Sequence, residues 1–197
     1  AQKLAQYQAE KAALEKSIQG IKKGTDEWYE AYDQIQQAAS SISDCTKEIY
    51  ELNNAINQLY FDLYDIISEG IGRIITEQEF LQGLFAHEKL TDDKTGNLTE
   101  AGLAKLGSLS ASYYAAVDNR ERDSAVLKEL RDVKEKGRQA DGSYQYGHWK
   151  FNSLNDLEKK IDEFSTKTQE DIKEEYDLKT RIYDLMKERY QAELDYL

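Results

Sequence analysis

The sequence predicts an all-α fold: a long helical hairpin or coiled-coil bundle, with a short-helix insertion between the long helices. Three observations predict this class. The chain has no proline, so no residue forces a helix to break. It is rich in Gln, Glu, Lys, Leu, Ala and Tyr, a composition that favours long helices. Apolar residues also recur in heptads over a long stretch, which is typical of coiled coils and bundle helices.

The first helix is predicted over about residues 1–23. Its apolar residues fall on the two inward-facing positions of a heptad, which together form a seam. They are Leu4, Tyr7, Leu14, Ile18 and Ile21. Lys11 is the one misfit in this seam, and its aliphatic stem can pack there while the ammonium group reaches water.

A sharp turn is predicted at Gly24 and Thr25, in the segment GTDEWYEAYDQIQ. Gly24 suits the left-handed conformation that ends a helix, and Thr25 suits the N-cap of the next helix. Asp26 and Glu27 then place negative charge on the positive end of that helix. The heptad register also shifts at Gly24, which a continuous helix would tolerate poorly. We therefore expect a tight hairpin, with the first helix antiparallel to the second.

Charge supports the same hairpin. Residues 1–24 carry five Lys and two Glu, whereas residues 25–70 carry one Lys and ten acidic residues. Opposite charge on neighbouring segments favours their pairing.

The second helix is predicted over about residues 25–69, and its heptads have no interruption. One line of the seam is Trp28, Ile35, Ile42, Ile49, Ile56 and Leu63, and the other is Ala31, Ala38, Cys45, Leu52, Leu59 and Ile66. The first helix is long enough to cover this seam only from Trp28 to Ile49. Burial of a Leu or Ile side chain is worth about 1.5–3 kcal/mol. We therefore expect the later seam residues to pack against the final helix, or against another copy.

Residues 71–151 are predicted to hold short helices and loops, which follow a hairpin domain over residues 1–70. Gly70 and Gly72 are expected to end the second helix, and a capping box at Thr76 to start a short one that ends near Glu88. A further helix is predicted from about Thr99 to Lys136. Between these two helices, the segment LTDDKTGNLTE is rich in Asp and Gly, but its spacing lacks the terminal Glu of a calcium-binding loop.

The last part, residues 152–197, is predicted to be one long helix that packs back or continues as a coiled coil. Ser153 is a good N-cap for it. Its seam weakens at Asp171 and Glu175, and then resumes in a shifted register that indicates a change of partner helix. The resumed positions are Tyr176, Tyr183, Tyr190 and Leu197.

The sequence contains no pattern that predicts catalysis, a cofactor or a metal site. It has no Gly-rich phosphate loop, no GxSxG elbow and no HExxH pair. The two histidines, His87 and His148, lack a second ligand at helical spacing. Cys45, the single cysteine, is interpreted as a small apolar seam residue. We therefore predict that the chain is not an enzyme.

Charge and hydropathy also restrict the partners. The net charge is −12, and clustered Lys and Arg of the kind that bind phosphates are missing, so we expect no direct nucleic-acid binding. No stretch approaches the roughly 20 apolar residues of a membrane span. The sequence begins and ends within helical patterns, and we expect it to be a segment of a longer protein.

Two stretches carry a family resemblance. The first combines Gly24, Glu27, Trp28 and Tyr29 with the later pattern Ala55, Ile56, Leu59, Phe61 and Asp62. The second is KLTDDKTGNLTEAGLAKL. Both resemble the tail tape-measure proteins of long-tailed bacteriophages and prophages of gut Firmicutes-type hosts, although Tyr60 stands near a place where that family frequently has Trp.

The resemblance implies a non-catalytic role in the virion. A tape-measure protein is a filament around which the tail tube assembles; it sets tail length and leaves the tube before the genome. The implied partners are tail-tube and tail-assembly proteins, and the implied location is the tail lumen, or the host cytoplasm during assembly. The alternative is a helical-hairpin delivery or interaction module of a bacterial secreted or surface protein.

Overall fold

A computed structural model describes residues 2–196 of the chain, and its fold is all-α. The helices and strands of the described part follow one another as α1 (Gln2–Ile18), α2 (Asp26–Leu84), α3 (Glu100–Lys136), β1 (Tyr144–Tyr146), β2 (Trp149–Phe151) and α4 (Leu154–Tyr196). The chain divides into two compact units, unit 1 up to Gln58 and unit 2 from Leu59 onward. Helix α2 contributes to both units.

Unit 1 is a hairpin of α1 and the first part of α2, joined by a turn at Gly24 and Thr25. Gly24 has a φ of 90°, in the left-handed region that glycine adopts without a steric cost. The Thr25 hydroxyl accepts a hydrogen bond of 3.3 Å from the backbone N–H of Trp28, which caps α2. The first residues of α1, including Leu4, line one groove with Cys45 and Ile49 of α2, so the two helices run antiparallel.

Helix α2 continues through Gly70 and Gly72 and ends only at Leu84, so the predicted end of this helix near residue 69 is wrong. Glycine weakens a helix by about 1 kcal/mol but does not force it to stop. The packing of Ile71 and Ile75 in the core of unit 2 offsets that cost. Thr76, predicted as an N-cap, lies inside α2 and its hydroxyl donates to the Gly72 carbonyl at 3.0 Å.

Because α2 runs to Leu84, the short helix predicted from Thr76 to near Glu88 is not a separate element, whereas the helix predicted from about Thr99 to Lys136 is confirmed as α3. The Asp- and Gly-rich segment between α2 and α3 is a turn. The Asp92 carboxylate accepts a hydrogen bond of 2.7 Å from the backbone N–H of Lys94, and Gly96 follows with a φ of 69°. Thr99 then caps α3 by accepting a hydrogen bond of 3.1 Å from the N–H of Gly102.

A small β-hairpin joins α3 to α4. Strands β1 and β2 pair antiparallel, with Tyr146 opposite Trp149, and Gly147 lies in the turn with a φ of 60°. Trp149 is buried, and its indole N–H donates to the Glu129 carboxylate at 2.9 Å. The Ser153 hydroxyl accepts a hydrogen bond of 3.2 Å from the N–H of Asp156 and so caps α4, as the sequence indicated.

The core of unit 2 consists of two apolar clusters. The cluster next to the β-hairpin contains Phe61, Val126, Leu127, Leu130, Val133, Tyr144, Trp149, Phe151, Leu157 and Phe164. The other contains Ile71, Ile75, Leu109, Ala116, Leu178 and Leu185. Residues from α2, α3 and α4 contribute to both clusters, so unit 2 is a three-helix bundle closed at one end by the hairpin.

Candidate interaction surface

The first part of the predicted α2 seam lies inside the hairpin of unit 1. Ile35 and Ala38 are buried, and the other side chains of this part are half-buried: Trp28, Ala31, Ile42, Cys45 and Ile49. On α1 the half-buried positions are Leu4, Tyr7, Lys11, Leu14 and Ile18, which matches the predicted seam of that helix. These residues hold the two arms of the hairpin together by apolar contact.

The second part of the seam is exposed, and the prediction that it packs against the final helix is wrong. Its side chains are 37–69% exposed: Leu52, Ile56, Leu59, Leu63 and Ile66. The physical reason is that α2 buries a different face within unit 2. Phe61, Ile71 and Ile75 enter the core there, although they lie outside the heptad positions that continue from unit 1.

Within unit 2, α2 therefore presents two apolar faces. We define the α2 stripe as the face formed by Leu59, Leu63, Ile66, Gly70 and Ile74, of which Gly70 is half-buried and the other four are exposed. Each residue advances by about 100° around a helix, so these five positions fall within an arc of roughly 80°. The buried face is centred roughly 120° away from the stripe. A helix with a second apolar face has a surface that can bind a partner.

Aromatic packing fixes which face of α2 is buried. The Phe61 ring lies 4.9 Å from the ring of Trp149 and 5.7 Å from that of Phe164, measured between centroids. The Lys160 ammonium group lies 4.4 Å above the same Phe61 ring, in a cation–π contact. On the next turn, Asp65 pairs with Lys167 at 3.1 Å. These contacts hold α2 at one rotation, which keeps the stripe directed away from the core.

His148, for which the sequence offered no second metal ligand, belongs to the same aromatic cluster. The ring of His148 lies 4.1 Å from that of Tyr60 and 4.5 Å from that of Trp149. Its neighbour Glu129 is already the acceptor for the Trp149 indole. His148 thus helps to hold the β-hairpin on α2.

Helix α4 carries a second exposed face. We define the α4 stripe as Ile172, Tyr176, Tyr183, Tyr190 and Leu194. The three tyrosines follow the predicted seven-residue repeat, and its fourth member, Leu197, lies outside the described residues. At about 100° per residue, the α4 stripe occupies an arc of roughly 40°. The buried residues of α4, such as Leu178 and Leu185, lie on a separate face.

The two stripes have charged borders. Asp62, Glu69 and Arg73 lie along one border of the α2 stripe. Exposed lysines lie along and within the α4 stripe: Lys173, Lys179 and Lys187. The acidic residues nearest the α4 stripe are already paired inside the chain, Glu175 with Arg120 and Glu193 with Arg189. The border of the α2 stripe is therefore mixed in charge, whereas that of the α4 stripe is mainly basic.

Sequence reasoning missed a buried carboxyl pair between α3 and α4. Asp123 is 4% exposed and lies beside Asp171, whose carboxylate accepts a hydrogen bond of 2.9 Å from the Asn119 amide. Burial, followed by the Asp171 charge, raises the pKa of Asp123 to about 6. Burial also raises the pKa of Asp171. The one indication in the sequence was the weakening of the α4 seam at Asp171.

This carboxyl pair is best understood as part of the helix–helix packing. Its two residues and Asn119 lie inside the bundle, and the Lys167 and Arg122 charges partly offset the burial of Asp123. A group this buried offers no surface to a substrate, so the exposed stripes remain the candidate functional surface.

No family model, no curated protein and no solved structure matches this chain. In the described part of the chain, none of the helices is apolar over a length that would cross a lipid bilayer.

Proposed function

We propose that the chain is a non-enzymatic structural segment of a phage tail tape-measure protein, which sets tail length and assists tail assembly and genome ejection. The observation that carries the proposal is the α2 stripe: a long helix that is already packed on one face keeps a second apolar face exposed. Such a face suits a protein whose work is to bind other helices or a surrounding tube.

The resemblance at Gly24, Glu27, Trp28 and Tyr29 supports the same function. These residues form the capped turn of unit 1, where Trp28 stacks on Tyr32 with 5.3 Å between ring centroids. The proposed partners are tail-tube and tail-assembly proteins, and the proposed location is the tail lumen. The net charge of −12 suits a chain that must not adhere to the DNA that follows it through the same channel.

A length-changing and a length-preserving variant of the parent phage test the proposal together. Deletion of residues 1–58 should shorten the tail by up to about 87 Å, since an extended helix contributes about 1.5 Å per residue. Substitution of Leu59→Glu with Leu63→Glu should leave tail length unchanged and lower the yield of assembled tails. Electron microscopy measures the length, and plaque counts measure infectivity.

The outcomes separate the possible roles. Normal tail length and normal infectivity after the deletion would remove the tape-measure assignment for this segment. Normal length with failed delivery of the genome would restrict the role to ejection. The alternative, a delivery or interaction module of a secreted or surface protein, is favoured by the separate core of unit 2, and it predicts no effect on tails from either variant.

A further inference from the structure

We propose that Asp123 and Asp171 form a proton-dependent joint between the two apolar clusters of unit 2. A proton on Asp123 closes the joint, so that the two clusters unfold together, and loss of the proton lets them open separately. The inference goes beyond the tail assignment, because it concerns the bundle of the purified chain and holds whether or not the chain belongs to a phage.

The two aspartates lie where one apolar cluster ends and the other begins. On α3, Asp123 follows Ala116 of one cluster by seven residues and precedes Leu130 of the other by seven. On α4, Asp171 lies seven residues after Phe164. Heptad spacing keeps residues on one face of a helix. The pair therefore puts carboxyl groups into one layer of an otherwise apolar contact between α3 and α4.

One carboxylate oxygen of Asp171 shows where the proton acts. Asp171 is 7% exposed, and its Oδ1 accepts the hydrogen bond of 2.9 Å from the Asn119 amide. Its Oδ2 is fully buried, and no N–H or hydroxyl group of the described residues donates to it. When Asp123 takes up a proton from solvent, its carboxyl group gains an O–H that can donate to this oxygen. The pair then carries one negative charge instead of two, and the buried Oδ2 has a partner.

The cations near the pair already have other partners. Lys167 and Arg122 are the cations that face Asp123. Lys167 pairs with Asp65 of α2 at 3.1 Å. Arg122 pairs with Asp118 at 3.2 Å. The carboxyl groups that face Asp171 add negative charge: Asp123, Glu170 and Glu174. Burial, followed by the Asp171 charge, therefore outweighs the two cations and raises the pKa of Asp123 to about 6.

Loss of the proton leaves two carboxylates in a layer that excludes water. Because hydration stabilises carboxylates, the helices separate at this layer more readily than within the apolar clusters on either side. Each cluster then opens with its own free energy. The closed joint holds the proton, whereas the open joint exposes Asp123 to water and releases it. The advantage of the closed state is therefore complete near pH 4 and is lost as the pH rises to about 6.

Native-state hydrogen exchange tests the coupling with a substitution at a distance from the joint. Leu185→Ala removes a buried side chain from one cluster, about 21 Å along α4 from Asp171. Protection factors, which correct for the intrinsic effect of pH on exchange, are compared at about pH 5 and about pH 8 around Leu109 of the same cluster and Leu130 of the other. Ile75→Val is a milder substitution in the same cluster, for use if Leu185→Ala leaves too little folded protein.

The expected response depends on pH in one cluster and not in the other. Around Leu109, Leu185→Ala should lower protection by at least about thirtyfold at both pH values. Around Leu130, it should lower protection by more than about tenfold near pH 5 and by less than about threefold near pH 8, because the open joint separates the clusters.

Asp123→Asn should keep the joint closed. Its amide N–H can donate to Oδ2 of Asp171 at every pH. In this background, Leu185→Ala should lower protection around Leu130 near pH 8 as much as it does near pH 5. Asp177→Asn removes an exposed carboxylate of the same helix, so it is the matched control and should keep the native response to pH.

NMR tests the hydrogen bond itself. The carboxyl carbon resonance of Asp171 should shift in step with the titration of Asp123, and Asp123→Asn should abolish that step. An Asp171 resonance that ignores the titration would exclude the hydrogen bond. Three exchange results would overturn the joint: clusters coupled equally at both pH values, clusters independent at both, or an Asp123→Asn variant whose coupling still depends on pH. None of these outcomes bears on the tail assignment, which is tested in the phage.

Discussion

The carboxyl groups of Asp123 and Asp171 lie side by side between α3 and α4, in a place where sequence periodicity leads one to expect apolar residues. A carboxylate that is removed from water and set beside a second carboxylate keeps its proton to higher pH. The pKa of Asp123 is raised from 3.8 to about 6, and that of Asp171 is raised as well. Below about pH 6, a proton on Asp123 removes the repulsion between the two carboxyl groups.

This pair should make the stability of the bundle depend on pH. Between about pH 4 and pH 6, folded Asp123 holds a proton that the unfolded chain has released, so its contribution to stability is lost as the pH rises. Asp123→Asn should therefore raise the free energy of unfolding by about 1–3 kcal/mol at pH 7–8, because one pKa unit corresponds to about 1.4 kcal/mol. The gain should vanish near pH 4. Urea unfolding at a series of pH values measures it.

Asp177→Asn provides the control for this experiment. Asp177 lies on α4 and is exposed, so its substitution should change the free energy of unfolding only slightly, by the same amount at every pH. If Asp123→Asn were destabilising at pH 8, the carboxylate of Asp123 would have to make a favourable contact that outweighs its burial.

Helix α2 shows how one element can carry two apolar faces within unit 2. The positions that continue the heptad pattern, such as Leu63 and Ile66, are exposed, whereas Phe61, Ile71 and Ile75 are buried. Neighbouring residues on the helix thus have opposite surroundings. Phe61 is 4% exposed and Leu59 is 69% exposed.

Alanine substitutions should reveal this difference directly. Leu59→Ala together with Leu63→Ala should lower the free energy of unfolding of the monomer by less than about 1 kcal/mol, since both side chains are exposed. Phe61→Ala should cost about 3–5 kcal/mol, because it empties a site lined by Trp149 and Phe164. Guanidinium unfolding under conditions that keep the chain monomeric provides both values. A cost above 4 kcal/mol for the double variant would mean that the α2 stripe is buried after all.

The sequence predicted the fold class and the features that depend on local chemistry. Thr25 and Ser153 were expected to cap their helices because a hydroxyl at that position accepts from a free backbone N–H, and the structure shows both contacts. The apolar repeat from Trp28 to Ile49 coincides with the buried and half-buried positions of α2, because heptad spacing puts those residues on one face.

The features that the sequence did not predict depend on tertiary packing. A heptad repeat identifies an apolar face but not the element that covers it, so it could not show that α2 turns Phe61 and Ile71 inward instead of Leu59 and Leu63. Gly70 and Gly72 were expected to end the helix because glycine is a weak helix former, whereas core contacts on either side of them keep α2 continuous. The Asp123–Asp171 pair joins residues of two helices, and no single-helix pattern reveals such a pair.

At the scale of the whole molecule, the two units have very unequal cores. Among the described residues of unit 1, the buried apolar side chains are Ile35 and Ala38, and α1 has no buried residue at all. Unit 2 holds two clusters with large buried side chains such as Trp149 and Phe164. Apolar burial supplies most of the free energy that opposes chain entropy, so unit 1 should be much less stable than unit 2.

Native-state hydrogen exchange should resolve this difference. We expect the amides of α1 to exchange at least about a hundredfold faster than those of α3 near Leu130, because a helix held by half-buried contacts opens locally without unfolding the bundle. Ile35→Ala should speed exchange in α1 further, since it removes the most buried large side chain of the hairpin, and should leave α3 unchanged. If α1 and α3 instead exchanged with one common free energy, and Ile35→Ala lowered both equally, the two units would unfold as a single cooperative body. The expected result would make unit 1 the part of the chain that opens first, while the α2 and α4 stripes on unit 2 stay folded.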